Sequence, residues 1–159
     1  ATASFGQGIA VTSLQMVRAM SVLANKGKLP NIQIVDKIIG DGWEEDIKPI
    51  LSEALISQDT IKKITDIMVN SVESRTDWKK PPGIKIAGKT GTAQVAIAGH
   101  YDPTKTVASF LGFAPAYNPQ YVMIVSLKDP KAAPFASQTA APLWFTISND
   151  LLAYLGVKP

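Results

Sequence analysis

The sequence contains no cysteine and only one histidine among its 159 residues. The absence of cysteine excludes disulfide bonds and thiolate metal sites, and it leaves the redox compartment open. The histidine, His100, follows a glycine in a predicted loop and has no potential ligands at the spacing of a metal site. We therefore predict no metal and no cofactor, and we expect His100 to be an exposed loop residue.

Long apolar runs and dense charge of one sign are also missing. No run approaches the ~18–20 apolar residues of a membrane-spanning helix. Sixteen basic and thirteen acidic residues give a net charge of +3, and the lysines occur in scattered pairs such as Lys62-Lys63 and Lys79-Lys80. A nucleic-acid interface has a denser basic stripe, so we interpret these lysines as solvated surface and expect no nucleic-acid partner.

The stretch 87–94, Ala-Gly-Lys-Thr-Gly-Thr-Ala-Gln, carries most of the chemical information. Alternation of apolar residues over 84–87 predicts an extended strand that enters it. Successive side chains of a strand point to opposite faces. Two sets are therefore expected: Lys89, Gly91 and Ala93 on one face, and Thr90, Thr92 and Gln94 on the other.

Glycine at positions 88 and 91 removes side-chain bulk from this strand. Gly within a strand is typical of places where a ligand or another backbone approaches closely. A strand at the edge of a sheet also offers unpaired backbone groups to an extended peptide. The stretch therefore predicts a site for an anionic, peptide-like substrate, with Lys89 as its cation.

A nucleotide-binding loop is a competing interpretation of the same residues. Residues 83–90 fit the pattern G-x-x-x-x-G-K-[ST], in which a glycine-rich loop opens a helix and holds phosphates. The surrounding residues disfavour it, because two prolines precede the pattern and the β-branched Thr92 and Val95 follow it. This hypothesis requires Mg²⁺-dependent ATP or GTP binding that is lost in Lys89→Ala.

Lys-Thr-Gly at 89–91 is also the third signature of penicillin-binding proteins and β-lactamases. Further segments accompany it in order: Ser-Phe-Gly-Gln-Gly at 4–8 with Val11, Thr12 and Gln15, Leu-Ala-Asn-Lys-Gly at 23–27, and Ser-Phe-Leu-Gly-Phe-Ala-Pro at 109–115. Over nearly its whole length the sequence resembles the C-terminal part of a class B penicillin-binding protein transpeptidase domain.

The resemblance implies roles for five residues. Lys89 holds a positive field in the cleft and orients the substrate, and the hydroxyls of Thr90 and Thr92 bind the terminal carboxylate of a D-Ala-D-Ala stem peptide or of penicillin. The backbone N–H of Thr92 is one of two oxyanion-hole donors. Gly91 and Gln94 line the same edge as substrate-binding residues. The implied activity is D,D-transpeptidation through a serine acyl-enzyme.

The family also requires S-x-x-K, which supplies the acylated serine, and S-x-N. No serine of this sequence has lysine three places later or asparagine two places later. We therefore expect residues 1–159 to be the C-terminal portion of a single transpeptidase domain, inactive alone, whose upstream part carries both motifs. A non-catalytic module that binds cell-wall peptide at the same edge is the alternative.

The resemblance also implies partners and a location. The expected partners are the peptidoglycan stem peptide, β-lactam antibiotics, the upstream half of the same domain and a membrane-anchored cell-wall synthesis complex. The expected location is extracytoplasmic, in the periplasm or on the outer face of the cytoplasmic membrane, with the parent protein anchored in that membrane.

We predict an α+β fold in which an antiparallel β-sheet is covered by the N- and C-terminal helices. Thr12 and Gln15 form a capping box for the first helix, Ser57 or Asp59 caps a second that runs to about Ser74, and a last helix runs from about Thr139 to Leu155. The expected apolar faces of the later two helices comprise Ile61, Ile64, Ile67, Met68 and Val72, and Leu143, Trp144, Ile147, Leu151 and Leu155.

Strands are predicted at 31–39, through the 87–94 stretch, at 106–113 and at 120–127, with an irregular acidic segment at 43–50 and a loop at 98–103. The last three strands have short connections and predict an antiparallel meander with the 87–94 strand at its exposed edge. The segment 73–82 departs from the family. Its Trp78 either packs or contacts a partner, and we favour packing.

Overall fold

The computed structural model describes residues 8–97 and 99–158. Residues 4–7 of the first family segment and Ala98 of the predicted loop lie outside the described residues. The elements are, in chain order, α1 (Ser13–Ala24), β1 (Lys28–Pro30), β2 (Lys37–Gly40), β3 (Trp43–Asp46), β4 (Leu51–Ala54), α2 (Gln58–Glu73), β5 (Ala87–Ile97), β6 (His100–Ala114), β7 (Tyr121–Lys128) and α3 (Ala140–Tyr154).

All three helices begin where they were predicted to begin, and the first two have predicted caps. The Thr12 hydroxyl accepts a hydrogen bond from the Gln15 backbone N–H, and the Gln15 side chain accepts one from the Thr12 N–H, which completes the capping box of α1. Ser57 caps α2 in the same way through Thr60 N–H. Thr139 precedes α3 without a side-chain cap. Local capping signals therefore mark the starts of α1 and α2.

The central sheet is the predicted antiparallel meander, in the order β5-β6-β7. β5 pairs with β6 from Ala87↔Phe113 to Gln94↔Thr106, and β6 pairs with β7 over the same region. Among the described residues β5 pairs with β6 alone, so it is an edge strand of this sheet, as predicted.

Helices cover both faces of the sheet. α3 packs against β6 and β7 on one face, in a cluster that includes Trp78, Phe110, Trp144 and Phe145. On the other face α1 packs against β6 and β7 while α2 packs against β5. The α+β fold covered by the terminal helices is confirmed, and α2 adds to that cover.

Of the predicted buried face of α3, Trp144 is buried and Leu151 is half-buried, and the other three positions are wrong. Leu143, Ile147 and Leu155 are exposed. The buried residues are Ala140, Ala141, Trp144, Phe145, Ser148 and Leu152. Polar contacts orient the helix this way, because Trp144 Nε1 donates to the Met123 carbonyl at 2.9 Å and Ser148 shares a hydrogen bond with Tyr121.

The face of α2 is partly as predicted. Ile61, Met68 and Val72 are buried, but Ile67 is 67% exposed. Thr65 and Val69 occupy buried positions that were not predicted. Spacings of three and four residues from Ile61 select Thr65, Met68 and Val72, and they leave Ile67 on the solvent side.

The region 31–55 departs most from the predicted strands. β2 covers residues 37–39 of the predicted strand 31–39, extends one residue further to Gly40 and leaves out the first six predicted residues. The acidic segment that we expected to be irregular contains β3, which forms a hairpin with β2 through the turn at Asp41 and Gly42. Gly42 has φ of 77°, which suits a tight Asp-Gly hairpin turn. β1 and β4, which pair with each other, were not predicted.

The loop predicted at 98–103 is wrong from residue 100 onward. β6 begins at His100, and the pairs Ile97↔His100 and Ala96↔Tyr101 continue the hairpin to the turn. The pairing shifts after Gln94, so that residues 102–105 bulge from β6. His100 is exposed as expected. Within the described ranges no helix combines the length and apolar character needed to cross a bilayer.

Candidate functional site

The Lys-Thr-Gly-Thr stretch lies in the first half of β5. The strand begins at Ala87, so the alternating residues 84–86 precede it, and pairing with β6 is unbroken from Ala87 to Gln94. The predicted alternation of faces follows from this pairing. No helix opens after Thr90, since the strand continues to Ile97, and this excludes the phosphate-binding loop.

Lys89 is an exposed cation on the face that α2 covers. Two residues earlier on that face, Ala87 is packed with Met68 and Val69 of α2. The Lys89 ammonium donates to the Thr90 carbonyl at 3.1 Å. Among the ion pairs formed by the described residues, none involves Lys89. Its charge is therefore available to an anion.

Lys85, four residues earlier, is paired. Its ammonium lies 2.5 Å from a carboxylate oxygen of Glu73 at the end of α2. That hydrogen bond holds the pKa of Glu73 below its usual value, against the opposing effect of partial burial. The two exposed lysines thus differ in their ion pairing. Lys85 links α2 to the segment that enters β5 through its ion pair with Glu73, and Lys89 makes no such link.

Thr90 and Thr92 lie on the opposite face of β5. Thr90 is half-buried and pairs with Phe110, whereas Thr92 is exposed. The Thr92 Oγ1 accepts a hydrogen bond from the Ala136 backbone N–H at 3.1 Å. A threonine hydroxyl has one hydrogen and two lone pairs, so this contact leaves the Thr92 hydrogen available to an acceptor. Gln94 is exposed farther along the same face.

The structure explains the presence of glycine at positions 88 and 91 differently from the prediction. A β-carbon on Gly88 would collide with the Phe110 ring, and one on Gly91 would lie 2.8 Å from Ser109 Oγ. The space above both glycines is thus filled by side chains of β6. These glycines allow close packing within the sheet, rather than leaving open room for a ligand.

Two further residues at this site, Thr106 and Ala136, were not predicted from the sequence. Both belong to contacts between the sheet and residues 129–139, which we call the β7–α3 loop. Thr106 Oγ1 donates to the Pro134 carbonyl at 2.8 Å, next to the Ala136 contact with Thr92. Nothing in the sequence marks either residue, because the contacts join positions that are far apart in the chain.

Trp78 packs beneath the same loop, which confirms the packing interpretation. It is 7% exposed, and its Nε1 donates to the Ser137 carbonyl at 2.9 Å. Its ring meets Phe110 edge-on at 5.5 Å and Phe145 at 5.2 Å. The loop is therefore held from the core side as well as from the sheet edge.

No group of three or more potential metal ligands occurs among residues 8–97 and 99–158. A shallow groove is lined by Gly83, Ile84, Lys85, Pro115, Ala116, Tyr117, Asn118 and Lys158. It lies beside the entry to β5 and does not include residues 88–94. The groove is therefore separate from the five residues predicted as the site, which all lie on β5.

The chain matches the penicillin binding protein transpeptidase domain over residues 1–152 and belongs to that family. Stage V sporulation protein D of Bacillus subtilis (strain 168) is 37% identical over 164 aligned residues, which cover 100% of this chain and 25% of that protein. The peptidoglycan D,D-transpeptidase FtsI of Buchnera aphidicola is 29% identical, covering 99% of this chain and 27% of the relative.

Solved structures agree with this family. A peptidoglycan synthetase from Bifidobacterium adolescentis superposes with a TM-score of 0.86 and 31% identity, over 99% of this chain and 30% of that one. Penicillin-binding protein 3 of Mycobacterium tuberculosis, complexed with ampicillin, gives a TM-score of 0.82 and 28% identity, over 96% of this chain and 36% of that one. The chain thus spans between a quarter and slightly more than a third of these proteins.

Proposed function

We propose that this chain forms one wall of the active site of a serine D,D-transpeptidase that cross-links peptidoglycan. One observation carries the proposal: the Lys-Thr-Gly-Thr stretch lies on the free edge strand of a chain that matches the transpeptidase family over residues 1–152. A relative that aligns with 99% of the chain is named a peptidoglycan D,D-transpeptidase.

In this proposal β5 binds the donor stem peptide as an additional extended strand. The charge of Lys89 attracts and orients the substrate, and the hydroxyls of Thr90 and Thr92 donate to its terminal carboxylate. The Thr92 N–H stabilises the negative charge that develops on the attacked carbonyl oxygen. Gly91 and Gln94 line the same edge. This chemistry requires no metal and no cofactor.

The nucleophile is a serine outside this chain, in an upstream part of the same domain. Its oxygen attacks the carbonyl between the two D-alanines, the C–N bond breaks, and D-alanine leaves with a proton while an acyl ester forms. An amine from a second stem peptide then attacks the ester and releases the serine. A β-lactam acylates the same serine by opening its ring amide, and the support for β-lactam binding is that a relative has been solved in complex with ampicillin.

The same proposal includes a cellular location for the protein. Relatives that act on peptidoglycan work where the cell wall is assembled, so we place this domain outside the cytoplasm, in the periplasm or on the outer face of the membrane. The proposed parent protein is membrane-anchored and works in a cell-wall synthesis complex. Residues 1–159 are the C-terminal portion of its transpeptidase domain.

Covalent labelling of the complete gene product by a fluorescent penicillin tests the proposal. The wild type is expected to be labelled at one serine, identified by peptide mass spectrometry. Lys89→Ala is expected to label about a hundredfold more slowly, as when a preorganised electrostatic contact to the transition state is removed. Lys85→Ala removes the same charge from a paired lysine, and it is expected to label at nearly the wild-type rate.

Two results would overturn the proposal. A folded wild type that is not labelled is not a penicillin-acylated transpeptidase, and the peptide-binding alternative would then account for the β5 edge. Equal slowing in Lys89→Ala and Lys85→Ala would show that net charge, rather than the position of Lys89, determines the rate.

A further inference from the structure

Three hydrogen bonds join the β7–α3 loop to the strands β5 and β6 near Thr92. The Asp129 N–H donates to the Thr106 carbonyl at 2.7 Å, where the loop begins. The Thr106 hydroxyl donates to the Pro134 carbonyl at 2.8 Å. Two residues later the Ala136 N–H donates to Thr92 Oγ1 at 3.1 Å. Thr106 therefore holds both the start and the middle of the loop.

The middle of the loop has few other attachments to the sheet. Residues 131–135 contain no buried residue, and Phe135 is 58% exposed. Proline has no backbone N–H, so the Pro134 carbonyl is the one main-chain hydrogen-bonding group that this residue offers. Within the described part of the chain, its partner is the half-buried Thr106 hydroxyl.

The contact to Thr92 determines how its hydroxyl is oriented. An N–H that donates to Oγ1 occupies one lone pair and disfavours rotamers that turn the oxygen away from it. The hydroxyl hydrogen must then point away from the Ala136 N–H. A hydrogen bond with a fixed direction is already organised for an incoming carboxylate and needs less ordering when the substrate binds.

We propose that Thr106 is a positioning residue for substrate-carboxylate recognition, which acts by holding the β7–α3 loop so that Ala136 N–H orients the Thr92 hydroxyl. The inference rests on the proposed function, in which Thr92 binds the carboxylate. Thr106 itself touches neither the carboxylate nor the reacting atoms. Its effect on acylation passes through Pro134, Ala136 and Thr92 in turn.

A double-mutant cycle in the complete protein tests this relay. Thr106→Val keeps the shape of the side chain and removes the hydroxyl, and we expect acylation by a fluorescent penicillin to slow about fivefold, the effect of one hydrogen bond. Thr106→Ser restores the hydroxyl and is expected to return the rate to near wild type. In a Thr92→Val background, Thr106→Val is expected to slow acylation no further.

Thr146→Val is the matched control. Thr146 also donates its hydroxyl to a proline carbonyl, Pro142 at 3.1 Å, but it lies on the exposed face of α3. Its loss is expected to leave acylation unchanged. A second readout needs no acylation: amide hydrogen exchange at Ala136 is expected to be faster in Thr106→Val than in wild type or Thr146→Val.

The outcomes separate this inference from the proposed function. Equal slowing by Thr106→Val in the wild-type and Thr92→Val backgrounds would overturn the relay, as would unchanged exchange at Ala136 in Thr106→Val. An unlabelled wild type would overturn the proposed function and, with it, the role in carboxylate recognition, while the exchange at Ala136 would still decide whether Thr106 holds the loop.

Discussion

The ring of Phe110 fills the space that a β-carbon on Gly88 would occupy. Phe110 is fully buried, and its ring also packs against Trp78, Trp144 and Phe145. The first residues of the Lys-Thr-Gly-Thr strand are therefore seated directly on the aromatic core. A change in the packing of Phe110 is therefore expected to move the edge of β5, because Gly88 contacts the ring directly.

We expect Gly88→Ala to lower the free energy of unfolding by about 1–3 kcal/mol, because the added methyl group overpacks a close contact. It is also expected to slow penicillin acylation, since β5 or the ring must move. Denaturant unfolding and labelling measure the two effects. Combining Gly88→Ala with Phe110→Leu is expected to recover part of the overpacking loss. Wild-type stability and labelling in Gly88→Ala alone would show that the ring yields without strain.

Trp78 offers a second test of the core beneath the loop. Trp78→Ala is expected to cost about 3–5 kcal/mol of stability, as for other large buried aromatic residues. Trp78→Phe keeps much of the packing but removes the donor to the Ser137 carbonyl. We expect it to lower the free energy of unfolding by about 1–3 kcal/mol. The control is Trp43→Phe, at a tryptophan that is 53% exposed. A loss in Trp43→Phe equal to that in Trp78→Phe would contradict this account.

The raised pKa of the Tyr121 hydroxyl predicts how stability responds to alkaline pH. Burial raises the pKa of its hydroxyl, and the hydrogen bond with Ser148 at 2.6 Å opposes that shift in part. Because the folded-state pKa is raised, the associated stability is fully present below the unfolded value of about 10 and is lost as the pH rises through the folded value.

The measurement is the midpoint of denaturant unfolding as a function of pH. Tyr121→Phe is expected to lose stability less steeply above about pH 10 than wild type, since it has no phenol to ionise. Tyr154→Phe removes a hydroxyl from a residue that is 87% exposed and is expected to follow the wild-type curve. Parallel curves for wild type and Tyr121→Phe would be inconsistent with a raised pKa.

The features that the sequence predicted correctly depend on local signals. The capping box at Thr12 and Gln15, the cap at Ser57 and the alternation at 84–87 that leads into β5 each involve residues within a few positions of one another. The edge position of β5 follows from short connections within a meander. The Asp-Gly turn at 41–42 was a local signal as well, but it was not used to predict β3.

The features that the sequence did not predict depend on contacts across the fold. The buried face of α3 is oriented by hydrogen bonds to β7, at Tyr121 and Met123, and its aliphatic residues alone suggest a different face. The reason for Gly88 lies in Phe110, on the neighbouring strand. Thr106 and Ala136 have ordinary local sequences, and only the folded chain brings them to the site.

A crystal structure of the complete protein acylated by penicillin tests the central claim most directly. The account predicts that a carboxylate oxygen of the bound drug lies within about 2.5–3.0 Å of the Thr90 and Thr92 hydroxyl oxygens, with the acyl carbonyl oxygen at the Thr92 N–H. Drug bound to a serine with its carboxylate elsewhere and the edge of β5 unoccupied would contradict it.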